Sequence, residues 1–202
     1  MLLTKRFLAV LFAILGTGCH LETMDTTSAH EPALKEVFKG DFLIGAALKT
    51  TQFTSSEKEN SEVKLIQKHF NSITPENVLK WEQIHPGPNR YNFEPADHYV
   101  DFGVRNHMFI IGHNLIWHNQ TPAWVFFDSN GKILDREALL QRMREHIFTV
   151  MGRYKGKIKG WDVVNEAVEE DGSLRKSAWL QIIGEDYLVK AYQYAHEADP
   201  DA

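Results

Sequence analysis

One cysteine, Cys19, stands in 202 residues, so no disulfide framework braces the chain and no thiolate cluster is available to a metal. A basic stripe is missing too. Asp and Glu outnumber Lys and Arg by 27 to 22, giving a formal net charge of -5, and the cations are scattered among the acids, which excludes nucleic acid as a partner. Beyond Cys19 no apolar run reaches the roughly 20 residues of a bilayer span. No G-x-S-x-G elbow, phosphate loop or dinucleotide fingerprint occurs, so the chemistries marked by those signatures are set aside. What the chain does have is material for a core. Hydrophobic residues make up 43% of it, enough for a sizeable globular domain. Aromatic residues reach 11%, with five Trp, which suits stacking on sugar faces and equally suits an ordinary interior.

The first segment reads as a processing signal. Lys5 and Arg6 precede an apolar run from Phe7 to Leu15 that is too short to span a bilayer, and Gly16, Thr17 and Gly18 lead into Cys19. Residues 1–18 are therefore expected to be a signal peptide of lipoprotein type, with Cys19 as the lipidated first residue of the mature chain. The alternative is plain secretion with an inert cysteine. Gly16 stands where such a signal usually has Leu. The expected location is outside the cytoplasm, on the outer membrane or cell surface if lipidated, otherwise secreted or periplasmic. Residues 19–38 are expected to form a flexible tether, and 39–202 the folded domain.

From Asp41 onward short apolar runs alternate with amphipathic stretches, the signature of βα units around a parallel sheet. Strands are predicted over Phe42–Ala47, Phe70–Thr74, Met108–Gly112 and Ile158–Asn165. Ser56 and Glu59 form a capping-box pattern ahead of a helix with Val63, Ile66 and Phe70 on its apolar face. Pro95 opens a second helix. Asp135 caps the longest, in which Leu139, Leu140, Met143, Ile147, Val150 and Met151 recur at helical spacing. The last is predicted over Ile182–Ala198, with Tyr187, Leu188, Ala191, Tyr192 and Ala195 on one face. The fold class is thus α/β, with about four βα units. A closed TIM (β/α)8 barrel takes about 250 residues, so the chain is read as a partial barrel.

In such barrels functional residues gather past the C-terminal ends of the strands. Three clusters lie there: TPENVLKW (74–81), HNLIWHNQTPAW (113–124) and WDVVNEA (161–167). Glu166 is the sharpest candidate. An acid closing a buried apolar strand is costly unless it faces a polar cleft, and a carboxyl group half-desolvated in a cleft holds its proton to higher pH, as a general acid requires. The bland reading is that Glu166 caps the following turn or pairs with Arg175 or Lys176. Asn165 could likewise be a turn residue, Glu76, Asn77 and Lys80 a solvated helix start, and Trp117 part of the core.

Taken together in this order and spacing, the three clusters resemble glycoside hydrolase family 10, the endo-1,4-β-xylanases, from about Phe42 to the HEADPDA segment (196–202). The resemblance implies the N-terminal half of the catalytic barrel and retaining hydrolysis of internal xylosidic bonds, with xylan and xylo-oligosaccharides as partners and no cofactor. It implies Glu166 as the general acid/base and Asn165 as the residue holding the sugar 2-hydroxyl. Glu76, Asn77 and Lys80 match residues that bind hydroxyls on the glycone side. His113, Trp117 and Gln120 match a hydrogen-bonding histidine, an aromatic wall and a polar contact. The family's nucleophile is a glutamate ending the seventh strand, for which the four units read here have no counterpart. The chain alone is therefore expected to be inactive. Glu169, Glu170 and Asp171 belong to the same loop as Glu166 and do not replace that nucleophile. Two other readings stay open: a non-catalytic xylan-binding surface lipoprotein, and a barrel glycosidase acting on another β-glycan.

No metal site is expected. His113 and His118 lie five apart in what reads as a loop, with no cysteine or carboxylate completing a ligand set. His85, His98, His107 and His146 have no functional spacing and read as surface or core.

Overall fold

The computed structural model describes residues 31–56 and 58–202; residues 1–18, expected to be a signal peptide, and Cys19 lie outside the described residues. Four strands, β1 (Gly45–Leu48), β2 (Ser72–Pro75), β3 (Phe109–Ile116) and β4 (Gly160–Val164), form one parallel sheet in the order of the sequence. Parallel neighbours need crossover connections, and helices provide them. In chain order these are α1 (Leu34–Val37), α2 (Thr50–Thr54), α3 (Ser61–His69), α4 (Trp81–Ile84), α5 (Glu94–Arg105), α6 (Arg136–Tyr154), α7 (Ala178–Ile183) and α8 (Tyr187–Ala198).

The core lies between the sheet and the helices. Ile73, Ile110, Leu115 and Ile116 on the strands are fully buried, as are Tyr99 and Val100 on α5 and Leu139, Met143, Ile147 and Val150 on α6. Helix α5 packs on β2 and β3, α6 on β3, and α8 on β4. The Tyr99 hydroxyl sits 2.8 Å from the Ile73 carbonyl and 2.9 Å from that of Ile111, tying α5 to two strands. Asp135 caps α6 as expected, accepting from the Ala138 amide at 2.9 Å, which satisfies one of the helix's free N–H groups.

Several expectations shift. Residues 34–37, assigned to the tether, form α1, and they are fastened to α3 by Leu34 N–H donating to His69 Nδ1 and by Lys35 Nζ donating to the Gln67 carbonyl. The Ser56–Glu59 pair forms, with the Glu59 carboxylate accepting from both the amide and the hydroxyl of Ser56. The N-cap of α3, however, is Asn60, whose side chain accepts from the Glu62 amide. Strand β1 begins only at Gly45, and Phe42 and Leu43 are exposed. The predicted final helix is two helices. Gly184 adopts φ +100, a conformation that favours glycine, and it breaks the run between α7 and α8. Within α8, Tyr192 faces outward, while Tyr187, Ala191 and Ala195 are buried.

Candidate active site

Glu76, Asn77, Lys80, Trp117, Gln120, Asn165 and Glu166 lie past the C-terminal ends of β2, β3 and β4, and His113 lies within β3. Glu76 follows β2 directly, and its amide donates to the Leu48 carbonyl that ends β1, at 3.0 Å. The chain then turns so that Lys80 is the N-cap of α4. Its Nζ donates to Asn77 Oδ1 at 3.1 Å and sits 4.9 Å from the centre of the Trp117 ring, where the negative face of the indole attracts a cation. On the other side, Trp117 Nε1 donates to Glu166 Oε2 at 2.9 Å. Asn77, Lys80, Trp117 and Glu166 are thus joined in one chain of contacts drawn from three strand ends.

His113 is not in a loop. Strand β3 runs on to Ile116, with a cis His113–Asn114 peptide and an irregularity in its pairing with β4 between residues 113 and 116. Within that register His113 lies opposite Asp162, and its Nδ1 is 2.8 Å from Asp162 Oδ2. Asn165 is set in place by its amide, which donates to the Ile116 carbonyl at 2.9 Å. Gln120 enters through its main chain. Its φ is +46, and its carbonyl accepts from the Glu82 amide at the start of α4.

Glu166 also takes a positive φ, +50. The carboxylate does not pair with Arg175, whose Nε donates instead to the Glu166 main-chain carbonyl at 3.0 Å while its Nη1 pairs with Glu169. The turn-cap and ion-pair readings of Glu166 therefore do not describe its side chain, which reaches Trp117. It is 51% exposed, so the described residues do not supply the desolvation expected from the sequence. His118 Nε2 lies 3.7 Å from the same Oε2, which places a second nitrogen beside that oxygen.

Asp162 and His118 were not identified from the sequence as site residues. For Asp162 the signal was available: a charged residue inside the apolar run of a predicted strand, at the same alternation as Glu166. For His118 the sequence offers only its spacing from His113, which argues against a metal site.

The comparisons to known proteins bear on the family of the chain. The sequence model of glycosyl hydrolase family 10 matches residues 33–202. The chain belongs to that family. It is 48% identical to endo-1,4-beta-xylanase B of Paenibacillus barcinonensis over 177 residues, covering 87% of this chain and 52% of the relative. Among solved structures, a GH10 endoxylanase from a sugarcane soil metagenome superposes with a TM-score of 0.80 at 49% identity, covering 84% of this chain and 49% of that one. A mutant of the intracellular xylanase of Thermoanaerobacterium saccharolyticum in complex with xylotriose gives 0.79 at 42% identity, covering 86% and 55%. The chain thus spans about half the length of the relatives it matches and holds the four N-terminal βα units of a family 10 TIM barrel, as an unclosed parallel arc.

Proposed function

We propose that this chain supplies the proton-donating half of a retaining endo-1,4-β-xylanase site, with Glu166 as general acid/base. The observation that carries this reading is the 2.9 Å contact between Trp117 and Glu166 Oε2. Held by one oxygen, the carboxyl group is fixed just past the end of β4 with half of its surface open, so that it can reach a glycosidic oxygen. Asn165 precedes it and would hold the 2-hydroxyl of the sugar under attack. Glu76, Asn77, Lys80 and His113 would bind glycone hydroxyls, with Trp117 as the aromatic wall and Gln120 as a further polar contact.

A retaining mechanism needs a second carboxylate about 5 to 5.5 Å from the first, on the opposite side of the bond. Of the acids close to Glu166 in sequence, Asp162 is engaged by His113, Glu169 by Arg175 and Asp171 by the Ser173 amide, and Glu170 shares the loop that follows Glu166. In this reading the nucleophile comes from the C-terminal half of the barrel, and residues 31–202 alone do not turn over xylan. The test is release of reducing ends from xylan by residues 31–202, alone and fused to the C-terminal half of a family 10 relative. The fusion should be active and should lose activity on Glu166→Gln. Turnover by residues 31–202 alone, abolished by the same substitution, would overturn the division of roles. Binding of xylan in affinity electrophoresis by a fusion that never turns over would support a binder instead, and a panel with glucan and mannan fixes the substrate.

We further propose that residues 1–18 direct export of the chain and that Cys19 becomes its lipid anchor. Lys5, Arg6, the apolar run and Cys19 support lipid anchoring at the cell surface, and palmitate labelling lost on Cys19→Ser tests it.

A further inference from the structure

We propose that Arg175 is a positioning residue for Glu166 that acts on its main chain, an inference that rests on reading Glu166 as the proton donor. Glu166 sits at φ +50, in the left-handed region that residues with side chains avoid, so a specific contact is needed to keep it there. Arg175 supplies one. Its Nε donates to the Glu166 carbonyl at 3.0 Å, and its Nη1 lies 3.2 Å from the Glu169 carboxylate. Its own amide donates to the Ala167 carbonyl at 2.9 Å, and Val168 pairs with Leu174 in an antiparallel bridge. Residues 167–175 thus form a small hairpin with its mouth at the proton donor, and one guanidinium closes that mouth from two directions. A planar fork can bind a carbonyl and a carboxylate at once; a lysine ammonium lacks that geometry.

The choice of contact has a chemical consequence. A cation placed on the Glu166 carboxylate would favour its charged form and oppose proton donation. Arg175 avoids this by binding the carbonyl and directing its charge to Glu169. The same segment reaches the other half of the contact, because Ser177 caps α7 and Trp179 Nε1 on that helix donates to the Trp117 carbonyl at 2.9 Å. The main chains of both residues whose side chains meet are therefore held from 175–179.

The experiment uses the whole chain labelled with 15N at tryptophan, with the Trp117 indole signal assigned through Trp117→Phe. In the native chain this signal should move with pH, and Glu166→Gln should remove the part of the movement that persists when His118, 3.7 Å from the same oxygen, is replaced by Gln. Arg175→Ala should cut its amplitude at least twofold. Arg136→Ala, which removes a comparable arginine holding the Ile183 carbonyl and Asp186, should leave it unchanged. An unchanged amplitude in folded Arg175→Ala, an equal loss in Arg136→Ala, or a native signal that does not move each overturns the proposal. If Arg175→Ala does not fold, Arg175→Lys carries the same test: a fall supports the proposal and an unchanged amplitude overturns it. The readout needs no substrate. A fusion inactive on xylan alongside the expected amplitudes would sink the functional reading, and with it the role of Arg175 in proton donation, whereas an active fusion with full amplitude in the Arg175 variants would sink this inference alone.

Discussion

The indole N–H of Trp117 meets Glu166 Oε2 at 2.9 Å across 49 residues of sequence, while the ring face of the same side chain carries Lys80. One tryptophan therefore connects the cation that follows β2 to the carboxylate that follows β4. Replacing it by phenylalanine keeps a ring and removes the donor. A hydrogen bond to a charged acceptor is worth about 1.5–3 kcal/mol, so Trp117→Phe should lower kcat/KM for xylan at least about tenfold in the completed barrel. Initial rates measure this, and an unaltered rate would show that the contact has no part in the chemistry.

A second network braces the shell. Arg153 on α6 donates through Nε and Nη2 to the two oxygens of Asp97 on α5, at 2.8 and 2.5 Å, and the Tyr154 hydroxyl adds a third bond at 3.0 Å. The Arg153 hydrogen bonds hold the Asp97 carboxyl below the usual carboxylate range, with Tyr154 adding to the effect and partial burial opposing it. A carboxylate with a lowered folded-state pKa stabilises the fold above its unfolded value of about 3.9, and that contribution fades as pH falls through the folded value. With side chains 33% and 44% exposed, solvent screening limits the pair to about 1 kcal/mol. Asp97→Asn should therefore lower the melting temperature at pH 7, and the gap should close in acid below about pH 3.9. A gap independent of pH would mean that packing, not charge, was lost.

Local patterns carried most of the scaffold. The stripe from Leu139 to Met151 is buried as its spacing predicted, Asp135 caps the helix, and all four strands overlap their predicted spans. The errors arose where tertiary structure overrides local pattern. Phe42 and Leu43 are apolar enough for a strand, yet Phe42 stacks on Phe38 outside the sheet. His113 and Asn114 interrupt the apolar run and so read as loop, yet the strand continues through them and buries Asn114. The site was legible as three separate clusters. The pairings His113 with Asp162 and Trp117 with Glu166 follow from the register of β3 on β4 and the loops beyond, and spacing within a single cluster does not encode them.

That register depends on Gly112. It lies opposite Trp161, and a Cβ added at Gly112 would run into the Trp161 ring. Overpacking of this kind costs on the order of 1–3 kcal/mol, here one residue before His113. Gly112→Ala should lower the urea midpoint by a corresponding amount, and Trp161→Leu in the same chain should recover part of it, as expected for two coupled neighbours. Additive losses in the double variant would show that the two positions do not compete for one space.

Two histidines that have no functional spacing in the sequence meet in the core. His85 and His146 are buried, nearly coplanar at 3°, and meet through Nδ1 atoms 3.1 Å apart. His146 also stacks on Trp81 at 3.6 Å and His85 on Tyr91 at 3.8 Å. One Nδ1 must donate and the other accept, so the pair holds together only while at least one ring is neutral. Burial lowers His85 to about 4; burial and the proximity of His85 hold His146 well below the ordinary histidine value. Unfolded, both titrate near 6.5. Between about pH 6.5 and 4 the unfolded chain binds more protons than the folded one, so stability must fall as pH falls through that window, by up to about 1.4 kcal/mol per pH unit for each histidine. His146→Gln keeps a donor for His85 and cannot titrate. Urea unfolding of this variant should show a shallower acid limb than the native chain, and identical slopes would show that acid destabilisation arises elsewhere.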